Sequence, residues 1–255
     1  MTNEQKKPAA KVLVALATYN EIENLPKLVK EILTLTPDVD VLIVDDNSPD
    51  GTGRWALDAA EKDPRIHALI RTNERGLGSA VIRAFKYAIE NDYDYLVNMD
   101  ADFSHPVDVV PEMLKTIETE SPQVDVVIGS RYVPGGATPD WPLRRKIMSR
   151  CVNLFARVAL GLKTKDNSGS FRRYRVEALK TLDFDRFVST GYSFFEETLF
   201  RLQRAGATFA EIPIVFVDRK RGASKINKKE AIKAVWIITT LGLKRLLCCE
   251  GAIKK

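Results

Sequence analysis

Three cysteines, two histidines and no long uninterrupted apolar run leave this 255-residue sequence short of redox, metal-thiolate and membrane-spanning signals. Cys151, Cys248 and Cys249 have no metal-ligand spacing, and a small odd number suits a reducing compartment better than a disulfide framework. His67 and His105 have no triad partner in a recognisable motif, although His105 follows an acidic loop. The longest apolar stretch, Ala231 to Leu247, is broken by Lys233, Thr239, Thr240, Lys244 and Arg245. It falls short of the roughly 20 apolar residues a spanning helix needs. Met1 to Ala10 is polar, and the apolar run after it, Val12 to Ala17, is too short for a signal-peptide core. These absences predict a cytoplasmic protein whose membrane contact, if it has one, is peripheral. There is no internal repeat and no low-complexity segment.

What is present is an ordinary globular composition, 45% apolar and 29% charged, enough to bury one core in one domain plus an appendage. A net charge of +5 favours anionic partners such as nucleotides, phosphates or an acidic bilayer. It is too modest, without a recognition motif, for a nucleic-acid binder.

The first half alternates short apolar runs with helical patterns, which predicts a mostly parallel sheet with helices on its faces. Strands are expected over Lys11 to Ala17, Val39 to Val44, Ile66 to Ile70, Tyr95 to Met99 and Val124 to Ile128. Leu25, Leu28, Val29, Ile32 and Leu33 recur at helical spacing after Asn24, a candidate N-cap. Further helices are expected over Arg54 to Glu61, Gly78 to Glu90 and Val107 to Glu118. After Arg131 the alternation stops at Pro134, Gly135, Gly136 and Pro139; a helix over Leu143 to Leu162, another over Phe194 to Gln203 and a strand over Ile212 to Val217 follow.

In open α/β sheets ligands sit beyond the carboxyl ends of the strands, which directs attention to three loops. Asp100-Ala101-Asp102 follows an apolar strand and projects two carboxylates, hard oxygen ligands suited to Mg²⁺ or Mn²⁺ shared with substrate phosphates. An isolated Asp-x-Asp is commonly only a solvated turn. Val44 to Thr52, rich in Asp, Asn, Ser, Pro and Gly, reads either as a plain turn or as a loop whose carboxylates accept from ribose or base. Arg131 follows another strand, and Arg219, Arg221 and Lys225 cluster in one loop; such cations stabilise a departing diphosphate, although any one alone reads as surface charge.

Four motifs, at residues 17–21, 44–52, 99–105 and 129–132, resemble those of the family 2 glycosyltransferases of GT-A fold. The segments at 141–150, 166–172 and 216–225 narrow the resemblance to the polyprenol (dolichyl) phosphate mannosyltransferases. The ordered set covers roughly residues 11 to 227. It implies an α/β nucleotide-diphospho-sugar transferase fold with a mostly parallel central sheet and a C-terminal amphipathic helix. The expected organisation is a polar tail (1–10), a catalytic domain (11–226) and a C-terminal helix with basic tail (227–255). The domain divides into a nucleotide-binding half (11–130) and an acceptor half (131–226).

By motif, the resemblance implies that Ala17, Tyr19, Glu21, Val44 and Asp46 contact the nucleoside, and that Asp100, Ala101 and Asp102 hold metal and diphosphate. Arg131, Arg219 and Lys225 would bind phosphates of the donor or the lipid carrier, with Asp102 and Arg131 the catalytic residues. The implied reaction is inverting, metal-dependent transfer of mannose from GDP-mannose to a polyprenyl phosphate. The chain departs from the family at Ala17, where Pro is usual, at Ser104, a weak ligand, and at Thr190 and Phe195, where Lys and Gln are usual. A UDP-sugar donor, a saccharide hydroxyl acceptor with Glu196 or Glu197 as base, and a non-catalytic nucleotide-sugar-binding subunit are the competing readings. Leu143 to Leu162 and Lys228 to Leu247 read as basic amphipathic helices that meet a bilayer or dock on the core. Cys248 and Cys249, beside the second, are candidate acylation sites.

Overall fold

The computed structural model describes residues 10–119, 124–191, 193–218 and 228–247. Arg219, Arg221, Lys225, Tyr192, Cys248, Cys249 and the two terminal tails lie outside them. The first half runs β1 (Val12–Thr18), α1 (Leu25–Leu35), β2 (Val39–Asp45), α2 (Thr52–Lys62), β3 (Ile66–Ile70), α3 (Leu77–Glu90), β4 (Tyr95–Asp100), α4 (Val109–Thr119) and β5 (Val126–Ser130). The second runs α5 (Leu143–Leu160), β6 (Arg172–Arg175), α6 (Val176–Leu179), α7 (Phe194–Arg204), β7 (Phe209–Pro213) and α8 (Lys228–Leu246).

The strands form one sheet in the order β3-β2-β1-β4-β6-β5-β7, in which β6 alone runs antiparallel to its neighbours. Strand side chains alternate between two cores, as the two-residue period requires. Leu13, Ala15, Leu42, Val44 and Leu96 face α3 and the helices of the second half, while Val12, Val14, Leu16, Val41, Ile43 and Val97 face α1, α2 and α4. Both faces are covered, so the central strands read as continuous apolar runs instead of alternating ones.

The chain passes from β1 to β2 to β3 on one side, then returns to place β4 on β1's other side. That reversal between β1 and β4 opens a crevice at the carboxyl edge. Register aligns the edge: Ala17 pairs across with Val44 on one flank and Asp100 on the other.

Several sequence expectations need correction. Asn24 occupies the N-cap position of α1 but makes no side-chain cap, because its backbone is already helical and Leu25 N–H donates to Glu21 C=O. Its Nδ2 donates instead to Glu21 Oε2 at 2.9 Å. The strand expected at Ile212 to Val217 lies at Phe209–Pro213, since pairing with β5 matches Phe209 to Val126 and Pro213 to Ser130. β5 itself sits two residues later than expected. α5 stops at Leu160 because Gly161 takes the left-handed conformation, φ 67°, and caps it. α8 is not a one-faced helix: Ile237, Ile238 and Leu241 are buried on the core while Ile232, Val235, Trp236, Leu243 and Leu246 are exposed.

Candidate active site

The loop after β2 is built around three carboxylates. Asp45 is wholly buried, accepting from Thr18 Oγ1 (2.9 Å) and from the Ser48 amide (2.8 Å) and hydroxyl (2.6 Å). Gly53 is required beside it, since a Cβ there would meet Asp45 Oδ2 at 2.8 Å. Asp50 accepts from Thr52 N–H (3.0 Å) and Oγ1 (2.6 Å) and from Ile22 N–H (3.2 Å). Partial burial works against its charge, but these bonds outweigh it and hold the carboxyl below its ordinary range. Asp46 is ion-paired with Arg71 Nη2, and it accepts from Arg71 Nε at 2.7 Å and Gly76 N–H at 2.8 Å.

The turn 17–21 lies against this loop. Asn20 N–H donates to Ser48 Oγ (3.0 Å) and Glu21 N–H to Thr52 Oγ1 (2.9 Å), while Arg75 lies 5.4 Å from the centroid of Tyr19. The structure therefore gathers Ala17, Tyr19, Glu21, Val44 and Asp46 in one region. Asp46 is nevertheless engaged by Arg71, which sequence reasoning missed; an arginine just past a strand carries no distinctive signal.

Asp100 ends β4 with its side chain 37% exposed; Oδ1 accepts from Ser170 Oγ at 2.9 Å, and its amide donates to His105 Nδ1 at 3.1 Å. Asp102 Oδ1 accepts the Ser104 amide at 3.0 Å, and Ala101 between them is buried. His105 is enclosed, stacked on Phe171 at 5.0 Å. Burial pushes it below the usual imidazole range, against the pull of Asp100 and Asp102, so the ring is neutral and braces the loop. Asn20, Asn47 and Phe103 all have left-handed backbones, at φ 62°, 54° and 61°. One falls in each of the three loops at the edge; for a bulky residue such as Phe103 this is strained, a feature that concentrates at functional sites.

Arg131, after β5, is fixed by Asp166. Its amide (2.9 Å) and Nε (2.7 Å) donate to Oδ2, and Nη2 donates to Oδ1 (2.6 Å) and to Ser168 Oγ (2.9 Å). Among the described residues this leaves Nη1 as the guanidinium nitrogen outside the set. Burial opposes both charges, yet the pairing outweighs it: Arg131 is raised and Asp166 held below the ordinary carboxylate range. Arg131 is thus a buried cation held in place by its pairing with Asp166. Trp141 and Phe216 lie 5.5 and 5.7 Å from its guanidinium. Arg145, over the Trp141 ring at 4.0 Å, donates from Nη1 to Asp218 Oδ2 at 2.5 Å and ties α5 to the start of the basic loop.

Residues 166–170 join the two halves: Asp166 grips Arg131 while Ser170 donates to Asp100. This role is missing from the sequence reading, although the segment stands out there as a motif. Of the candidate bases, Glu197 is fully buried and accepts from Arg201 Nε (2.8 Å) and Ser189 N–H (2.8 Å), a structural post. Glu196 is buried with Oε2 unpartnered, and burial pushes its carboxyl up to about 7.

Two part-exposed carboxylates at the carboxyl end of a strand fit a hard divalent ion completed by ligand oxygens. Among the described residues no three His, Cys, Asp or Glu side chains gather to hold a metal by themselves, so the set fits an ion shared with a diphosphate.

A mostly parallel sheet with an acidic edge at its strand reversal, joined to a paired arginine, has the form of a nucleotide-binding α/β fold. The family follows from comparison: residues 13–183 match the model for glycosyl transferase family 2, and the chain belongs to that family. It is 43% identical over 233 residues to undecaprenyl-phosphate mannosyltransferase of Micrococcus luteus, covering 91% of this chain and 94% of that one. It is 37% identical over 250 residues to polyprenol monophosphomannose synthase of Mycolicibacterium smegmatis, covering 97% and 93%. Among solved structures it is similar to glucosyl-3-phosphoglycerate synthase of Mycobacterium tuberculosis in complex with Mn²⁺, UDP-glucose and phosphoglyceric acid. The TM-score is 0.63 at 15% identity, over 93% of this chain and 79% of that one, a likeness of fold.

Proposed function

We propose that this enzyme transfers mannose from GDP-mannose to the phosphate of a polyprenyl carrier, with inversion and dependence on Mg²⁺ or Mn²⁺. The observation that carries the reading is the 166–170 segment, which brings the acidic loop and the buried arginine into one site. The naming of two relatives, each similar over nearly the whole chain, supports the lipid phosphate as acceptor.

A phosphate acceptor is anionic near neutral pH, so the protein need only position it and stabilise the leaving diphosphate. Asp100 and Asp102 hold the divalent ion, which supplies Lewis-acid stabilisation of the diphosphate when bound. Ala17, Tyr19, Glu21, Val44 and Asp46 form the nucleoside side in the half 11–130. Arg131, with Arg219 and Lys225, supplies positive charge from the acceptor half 131–226. The C-terminal segment 227–255 adds the helix α8, and no helix among the described residues is long and apolar enough to cross a membrane. The exposed apolar residues of α5 and α8 support peripheral contact with the cytoplasmic face of a membrane.

The test is transfer of radiolabelled sugar from GDP-mannose and, in parallel, UDP-glucose into an organic-extractable polyprenyl phosphate, with Mn²⁺, Mg²⁺ or chelator. Metal-dependent mannolipid is the expected product. Glucolipid alone would replace the donor. No lipid product from either, alongside nucleotide binding, overturns the lipid acceptor and moves the reading to a hydroxyl acceptor with Glu196 as the base to test.

A further inference from the structure

Of the 18 residues of α5, three are buried, and one of these is polar: Asn153, beside Ala156 and Leu160. Asparagine is a mediocre helix former, and burying its amide is unfavourable unless the polar positions find partners. At Asn153, 4% exposed, all four positions are filled. Oδ1 accepts the amides of Asn167 (2.7 Å) and Ser168 (3.2 Å), while Nδ2 donates to the Ser149 carbonyl (2.9 Å) and to Ser168 Oγ (3.1 Å).

Those two amides lie in the middle of the 166–170 segment. Asp166, just before them, grips Arg131, and Ser170, just after them, donates to Asp100. Ser168 Oγ also accepts from Arg131 Nη2 at 2.9 Å, so Arg131 and Asn153 converge on one hydroxyl. Other anchors hold the segment elsewhere. Arg172 Nη2 donates to the Asn167 carbonyl (2.7 Å), Asn98 Nδ2 donates to the Ser170 carbonyl (2.8 Å), and Glu211 Oε1 accepts the Asp166 amide (3.0 Å). Among the described residues no other acceptor meets the amides of Asn167 and Ser168. The contacts of Asn153 do not reach the loops 17–21 or 44–52, so the nucleoside side is built without it.

We propose that Asn153 is a positioning residue for sugar transfer: both ends of its amide fix Ser168 and its neighbours, and so set where the Arg131 guanidinium stands relative to Asp100. The inference rests on the transfer reading above and adds a residue to it. Reacting groups displaced by about 1 Å lose roughly 10²-fold in rate, which sets the scale of the effect. The experiment uses the full-length wild type, Asn153→Leu, Ser168→Ala and the double variant. It measures kcat for mannolipid formation, GDP affinity in the presence of chelator, and melting.

Asn153→Leu, close to the same size and lacking both ends of the amide, is expected to lower kcat on the order of 10²-fold while GDP affinity stays within about threefold. The double variant should be no slower than Asn153→Leu, because residues that act through one another are not additive. Asn153→Asp keeps an acceptor for both amides and loses the donor to Ser168; it takes the place of the leucine variant in the cycle if that one does not fold, with kcat lowered about tenfold. Wild-type kcat in either Asn153 variant overturns the proposal, as do losses that multiply in the double variant. A fall of kcat, GDP affinity and melting together also overturns it and makes Asn153 part of the scaffold alone. A wild type that makes no lipid product removes the transfer reading instead, and the same cycle is then read on metal-dependent release of nucleotide from the donor sugar.

Discussion

At the carboxyl edge of β1, β2 and β4, Asp45, Asp46 and Asp50 each accept three hydrogen bonds from the surrounding loops. Along α5 and α8, by contrast, apolar side chains and cations face solvent, and Ile147, Val158, Trp236 and Leu246 are each more than half exposed. The edge is preorganised: its bonds and strained turns are formed before substrate arrives, which suits a site that must hold a diphosphate in one geometry. The outer faces of the helix pair have no cover among the described residues. Between the two sits Arg131, at 9% side-chain exposure, built like the first region while lining a cavity beside α5.

The comparison breaks hardest at Asp166. Asp166→Ala should leave Arg131 buried without its counter-ion and destabilise the fold by about 3–5 kcal/mol, measured by denaturant unfolding. A loss under about 1 kcal/mol would mean that Arg131 readily finds solvent, and that the joint between the regions is not preorganised. At the edge itself, Asp102→Ala should keep the melting temperature near wild type and lower turnover by roughly 10²–10³-fold under saturating metal, the scale for removing one electrostatic stabiliser. Near wild-type turnover would mean that the metal is not held there.

The smallest effect concerns Glu196, a carboxyl in the packed interior that neither region uses. Its folded-state pKa, raised by burial from 4.5 to about 7, means that the folded protein keeps the proton longer than the unfolded chain. The stabilising contribution is therefore complete below about pH 4.5 and is lost as pH rises through about 7. Glu196→Gln removes the titration. Unfolding free energies across pH 4.5–8 should show a wild-type decline that the variant lacks, on the order of 1–3 kcal/mol. Parallel curves would place Glu196 in a more polar setting than its burial indicates.

Much of the first region was legible in the sequence. The strand–helix alternation placed the acidic loops at strand ends, and motif order pointed to the same loops as donor contacts. The ends of β5 and β7 were less legible, because pairing register, not local composition, chose which residues of each apolar run entered the sheet. The partners of the named side chains were not legible at all. Arg71 lies 25 positions from Asp46, and Asp166 lies 35 from Arg131. Nothing in the local pattern distinguishes an arginine bound for a phosphate from one bound for a buried carboxylate.

The second region shows the same division. Basic residues among apolar ones in 143–162 and 228–247 left open whether each helix docks on the core or meets a bilayer. The structure docks α8 on the core through Ile237, Ile238 and Leu241 and leaves Trp236 exposed. By itself the sequence determined the class of fold, the acidic loops at the strand ends and the family, because these follow from periodicity and from short motifs whose members are neighbours along the chain. Only the tertiary structure decided which charges are neutralised and which apolar faces stay uncovered. Those depend on groups brought together across the sheet by packing, and electrostatics and burial act through space, not along the chain.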